Sequence, residues 1–162
     1  MPEHGRFIGG IAALIFHPPT ETYLLLRRSG NVDVGTGDWE SVTGRVQQAE
    51  SFENAARREV REELGVEVTL DFIIGTSHFY RGAVNDENEV IGVRYACTLN
   101  DRDTIALSAE HDAHHWLTAS EVASFLPDGH RVRSMIERAE LLRSALPPEV
   151  IDLHRRQGFL SD

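Results

Sequence analysis

Three glutamates crowd the short run REVREE: Glu59, Glu62 and Glu63. Their spacing, i, i+3 and i+4, puts all three on one face of a helix, with Cβ atoms about 5–6 Å apart. Val60 and Leu64 form the neighbouring apolar stripe, which suits packing on a sheet. Like charges this close destabilise a helix unless something offsets them. Arg57, Arg58 and Arg61 can do so, which would make the face an ordinary solvated surface laced with arginines. A divalent cation would do so better, because Mg2+ takes oxygen ligands and commonly binds carboxylates together with substrate phosphates.

The helix that presents this face is expected over Ser51–Leu64. Ser51 suits the N-cap, Glu53 lies in the first turn where the dipole favours negative charge, and Gly65 is a left-handed stop. Around it, FIGGIAALIF (Phe7–Phe16) reads as a buried strand and TYLLLRR (Thr22–Arg28) as its hairpin partner, with Pro18 and Pro19 breaking the chain between them. SGNVDVGTGD reads as a flexible loop leading to WESVTG. Val66–Tyr80 and Glu89–Leu99 are β-rich, with RGAVNDEN looping between them. Ala113–Thr118 is a short strand, ASEVASFL a helix start, and Asp128–Leu146 an amphipathic helix ended by Pro147 and Pro148. Strands and helices alternate along one core, which gives an α/β class with a mixed sheet. The expected organisation is one domain over residues 1–146 and a helical or frayed tail over 147–162.

Composition narrows the function. The chain has 162 residues, room for one domain with a substantial core. Its formal net charge of −10 argues against nucleic-acid binding through a basic face. A small polyanionic substrate remains open, given local arginines or a bound cation. No apolar run approaches the roughly 20 residues that span a bilayer, and MPEHGRFIGG lacks the basic-then-apolar order of a secretory signal. Cys97 stands alone in an apolar run, so it reads as a buried inert thiol in a reducing compartment. The expectation is a cytoplasmic protein without membrane or nucleic-acid partners, monomeric or homodimeric.

Beyond the glutamates, a longer pattern emerges. Gly44, Glu50, Arg58, Glu59, Val60, Glu62, Glu63, Gly65 and Val66 fill every fixed position of G-x5-E-x7-R-E-U-x-E-E-x-G-U, with U aliphatic. In this the chain resembles the Nudix hydrolase family. The order of strands and helices resembles the Nudix α/β/α sandwich over nearly the whole chain. The resemblance implies hydrolysis of a nucleoside diphosphate linked to another group, by attack of a metal-activated water on phosphorus. It implies Glu59 and Glu63 as main metal ligands and Glu62 as third ligand or water-activating base. Glu50 and Arg58 would pair and brace the loop–helix junction. The expected cofactor is Mg2+, with Mn2+ as the alternative. This agrees with the chemistry of the residues, since such ions neutralise phosphate charge and lower the pKa of bound water.

Residues outside the box bear on the substrate. Most of the family places a second glycine before the box glycine; here it is Thr43, in DWESVTGRV. That string resembles the dihydroneopterin triphosphate pyrophosphatase branch. AEHDAHHWL resembles the segment where that branch carries a further acidic metal ligand, which makes Glu110 the candidate. The same resemblance implies a phosphate contact at the end of the second strand, for which Arg27 aligns better than Arg28. Trp39 is a candidate to stack on a base or pterin, against a plain packing role. No proline lies between Pro19 and Pro127, which counts against an ADP-ribose hydrolase, and Tyr80 is a weak pointer to dinucleoside polyphosphates. His111, His114 and His115 straddle a loop and a strand and do not read as a zinc site. The leading expectation is a Mg2+-dependent pyrophosphohydrolase of a (deoxy)nucleoside or pterin triphosphate. The alternatives are a housecleaning nucleotide or dinucleoside polyphosphate hydrolase and a non-catalytic nucleotide-sensing module, the latter at odds with an intact box.

Overall fold

The computed structural model describes residues 4–32 and 35–160, so residues 33–34 of the expected loop and both extreme termini lie outside it. The first apolar run forms β1 (Ile8–His17), and a 3-10 turn at Pro18–Thr20 leads into β2 (Thr22–Arg28). These strands pair only at their joined ends, Phe16 with Tyr23 and His17 with Thr22. Beyond that they part, and the WESVTGR segment enters the split. β3 (Trp39–Glu40) pairs with the far end of β2, and β4 (Val42–Arg45) with the start of β1. Ser41 alone joins them. Here the sequence suggested a loop and a lead-in; strands form because the parted edges carry backbone donors and acceptors that need partners.

The rest of the chain completes one mixed sheet. α1 (Phe52–Leu64) is followed by β5 (Thr69–Tyr80) and β6 (Glu89–Thr98). β6 runs parallel to β1, and β5 lies antiparallel beyond it. β7 (His111–Leu117) pairs antiparallel with β2. It begins two residues before the expected start, so His111, His114 and His115 all lie within it. α2 (Ala119–Phe125), α3 (Arg131–Ala145) and α4 (Pro148–Gln157) end the chain. α3 starts later than its amphipathic pattern suggested, because Gly129 is left-handed and His130 caps the helix, accepting from the Val132 N–H at 3.2 Å.

Alternation along the strands sorts the core into two layers. Ile11, Ala13, Ile15, Leu24 and Leu26 face α1 and meet Ala55, Ala56, Val60 and Leu64. Leu14, Phe16, Tyr23 and Leu25 face the other way and meet α2 and α3 through Val122, Leu126, Met135 and Ile136. The result is the expected α/β/α sandwich. α4 lies beside β5, where Arg155 donates to the buried Asp71 at 2.8 Å and Thr98 donates to its other oxygen at 2.6 Å. Cys97 is fully buried in β6, and burial raises its thiol pKa. No helix among the described residues is long and apolar enough to cross a membrane.

Candidate active site

α1 begins and ends as its sequence dictates. The Ser51 hydroxyl accepts from the Asn54 N–H at 3.2 Å, and Gly65 (φ 68°) closes the last turn onto the Arg61 carbonyl at 2.9 Å. Between these caps, Arg58 organises the acidic face. Its Nε and Nη2 grip both oxygens of Glu50 at 2.9 and 3.0 Å. Nη2 also donates to the Arg45 carbonyl at 2.8 Å, and Nη1 to Glu59 and Glu62 at 2.8 and 3.1 Å. All five guanidinium N–H groups are thereby used. The brace ties the loop before α1 to two of the three clustered glutamates. Arg58→Ala and Glu50→Gln should each lower stability by about 2 kcal/mol, from lost hydrogen bonds to charged groups, and lose activity only in part. Thermal melts and steady-state turnover check this. A variant with wild-type stability and no turnover would show that the pair does more than brace.

The three glutamates sit in different surroundings. Glu62 is exposed, Glu59 is half-buried against Gly44, and Glu63 is almost wholly buried at 3% exposure. One oxygen of Glu63, Oε2, has no hydrogen-bond partner. Burial, then the facing Glu40, Glu110 and Glu59 carboxylates, push its pKa up to about 9. Glu40 is itself buried, accepting from Arg28 at 2.8 Å and bonded to His111 Nε2 at 2.9 Å. The other ring nitrogen of His111 lies 3.7 Å from Glu63 Oε2, beyond hydrogen-bonding range. A hard cation suits this donor set: the ligands are oxygens, one is orphaned, and their charges repel. Among the described residues no three His, Cys, Asp or Glu side chains converge tightly enough to cage an ion in the present rotamers. Glu59 and Glu62 must therefore leave part of their bonding to Arg58 before they can close on one.

The elevated Glu63 pKa predicts a pH dependence. With chelator present, folded Glu63 keeps its proton to about 9, whereas the ordinary value is 4.5. Between these values the folded state binds the extra proton, so stability falls as pH rises through the window. The thermal midpoint should decline from about pH 5 to about pH 9 in chelator, and added Mg2+ should restore most at the alkaline end. A midpoint indifferent to pH there would mean that Glu63 is ionised in the fold.

These groups open onto a cleft of about 820 Å³. Thr43, Glu59, Glu62 and Glu110 line it, whereas the buried Glu63 does not. Two expected contacts are corrected. Arg27 points to the α2 side of the sheet and pairs with Asp112 at 2.7 Å; Arg28 lines the cleft instead. The register shifts between Arg27 and Arg28, and strand parity then sends only the second arginine inward. Trp39 does not line the cleft either. It stacks on His115 at 4.7 Å and meets Phe125 edge-on, so its role is packing.

A model of the NUDIX domain matches residues 7–139. The chain belongs to the Nudix family. A curated relative, the nucleoside triphosphatase NudI of Salmonella schwarzengrund (strain CVM19633), is 31% identical over 110 residues, covering 64% of this chain and 77% of that protein. Among solved structures, the MutT protein from Methanosarcina mazei Go1 superposes with a TM-score of 0.70 at 26% identity, over 88% of this chain and 99% of that one. The E. coli dihydroneopterin triphosphate pyrophosphohydrolase gives 0.65 at 26% identity, over 82% and 96%. This Nudix protein is a hydrolase acting on phosphoanhydride bonds.

Several residues in and around the Nudix cleft were not singled out for this site from the sequence. Glu40 and His111 are 71 positions apart and meet only because β3 and β7 both pair with β2. Arg45, Arg81, Arg94 and Arg131 line the cleft from four different elements or turns. Only the alternation of Trp39 and Glu40 offered a clue to Glu40. Once Trp39 packs outward, its neighbour must point inward.

Proposed function

We propose that this Nudix hydrolase is a Mg2+-dependent pyrophosphohydrolase of a nucleoside or pterin triphosphate. Water attacks a phosphorus of the chain, the phosphoanhydride P–O bond breaks, and pyrophosphate leaves with the displaced oxygen. One observation carries the reading: in a chain of net charge −10, one cleft is lined by Arg28, Arg45 and Arg81 as well as by its carboxylates. Arg81 is exposed, and partial desolvation, then Arg45 and Arg28, lowers its pKa from the ordinary value. Neither Arg45 nor Arg81 has a side-chain acid partner among the described residues. Cations gathered this way call for a polyanion. The names of the NudI relative and of the dihydroneopterin triphosphate enzyme point to the same substrate class.

Glu59, Glu63 and either Glu62 or Glu110 would hold Mg2+, which when bound neutralises phosphate charge and lowers the pKa of its water. The chain supplies the rest. Arg45 and Arg81 bind non-bridging phosphate oxygens and fix the chain in the cleft. Arg58 donates to one oxygen of the Glu59 carboxylate and steadies it. Glu62, the most exposed of the three, takes the water's proton or completes the ligand set. The Thr43 hydroxyl lies across β1's Ala12 on the cleft side, within the reach of a phosphate or ring carbonyl.

A substrate panel with Mg2+ tests this: dihydroneopterin triphosphate, the ribo- and deoxynucleoside triphosphates, ADP-ribose and dinucleoside polyphosphates. The expected result is triphosphate turnover with one pyrophosphate per event, abolished by chelator. Thr43→Gly should narrow the preference for bicyclic bases more than it lowers the rate. ADP-ribose turned over best, or inorganic phosphate as the first product, would overturn the triphosphate reading.

A further inference from the structure

The cleft has two chemically different halves. One carries the carboxylates Glu40, Glu59 and Glu62 with Arg28, which pairs with Glu40 at 2.8 Å. The other lies on the α3 face of the sheet, where Gly10 has no side chain, Ala12 and Ser77 carry small ones, and Val90, Val132 and Met135 make apolar walls beside Arg131. A shallow apolar floor between walls suits a planar ring. Pockets of this kind use a few placed polar groups to fix orientation and specificity. Here the placed group is Arg94. It is half-buried on β6 and lies beside Ala12, whose other neighbour is Thr43 on β4. Two strand spacings therefore separate Arg94 from Thr43, about 10 Å, which is the reach of a bicyclic ring attached to its sugar.

Among the described residues the Arg94 side chain has neither an acid partner nor a hydrogen-bond acceptor. Burial, and then Arg131 and Arg138, lower its pKa from the ordinary value. A desolvated guanidinium in this setting is offset by a ligand that presents acceptors alone. Its fork has two parallel N–H groups, which match two adjacent acceptors. An oxopurine offers such an edge, a carbonyl oxygen beside ring N7, whereas a 6-aminopurine places an amino donor where the carbonyl would be. An oxopterin has the same pairing of carbonyl oxygen and ring nitrogen. The geometry points to Arg94 as the specificity-determining residue of the cleft, reading the carbonyl-and-ring-nitrogen edge of an oxo-substituted bicyclic base. This rests on the triphosphate reading above and names the base that the triphosphate carries.

ITP and ATP make the decisive pair, since they differ at this edge by carbonyl against amine, with GTP as a second oxopurine. Turnover with Mg2+ and equilibrium binding by calorimetry with Ca2+ are measured in parallel on the full chain. The wild-type protein should favour ITP and GTP over ATP by at least about tenfold, the size of a bidentate base contact. Arg94→Met should bring that ratio close to one, mainly by weakening ITP and GTP. Arg94→Lys should do the same, because an ammonium keeps the charge and loses the fork. Thermal melts of both variants establish that they fold. A uniform loss across all three nucleotides with rescue by lysine would assign Arg94 to a phosphate and overturn the proposal. So would a wild-type protein that binds ITP and ATP alike. Binding discrimination without turnover would instead sink the hydrolytic reading and leave the role of Arg94 standing.

Discussion

Glu63→Gln should cut turnover at least about 100-fold while leaving the metal-free fold as stable as wild type, or more stable at alkaline pH. Partners one shell removed from a metal typically cost about 10- to 100-fold in affinity or activity, and loss of a direct ligand should exceed that. The amide keeps the shape of the side chain, and glutamine is nearly as good a helix former as glutamate. What disappears is a buried charge facing Glu40, Glu110 and Glu59. The stabilisation by added Mg2+, read as a rise in thermal midpoint, should shrink with it. Wild-type turnover in this variant would remove Glu63 from the metal site.

Gly44→Ala should lower kcat/KM by about 100-fold with a near wild-type melting temperature. A Cβ at this position would stand 2.0 Å from Glu59 Cδ and 2.2 Å from its Cγ and Oε1. No carbon can share that space, so the Glu59 side chain must move. The obstacle is the end of a flexible side chain, not backbone, and β4 can keep its pairing with β1. The cost therefore falls on placement, where an error of about 1 Å is worth about 100-fold. Full activity would mean that Glu59 works from another position than the one it holds against Gly44.

What the sequence made legible follows from distance along the chain. α1, its Ser51 cap, its Gly65 stop and the shared face of Glu59, Glu62 and Glu63 are local, so a helical period of 3.6 residues suffices to place them. The α/β class was legible from strands and helices mixed along one core, and the α/β/α layering came with the resemblance to the family. Arg58 shows the limit. Its pairing with Glu50 was implied by the resemblance, but its bonds to Glu59, Glu62 and the Arg45 carbonyl needed the loop to fold back. Arg27 and Trp39 show a second limit. Which of two adjacent strand residues faces a cleft depends on register, and a register shift lies between Arg27 and Arg28. Glu40 and His111 meet through a shared neighbour strand, which no local pattern encodes.

Cys97 sits near the C-terminal end of β6, on the one parallel pairing in the sheet among the described residues, and its side chain is fully buried in the folded chain. Since it is also the sole thiol, the chain carries its own probe of opening. A disulfide reagent can reach it only when β6 leaves its neighbours, so the labelling rate reports the free energy of that opening when closing is faster than reaction. Set beside a global melt, the rate tells whether a ligand of the cleft tightens the whole sheet or only the loops around it.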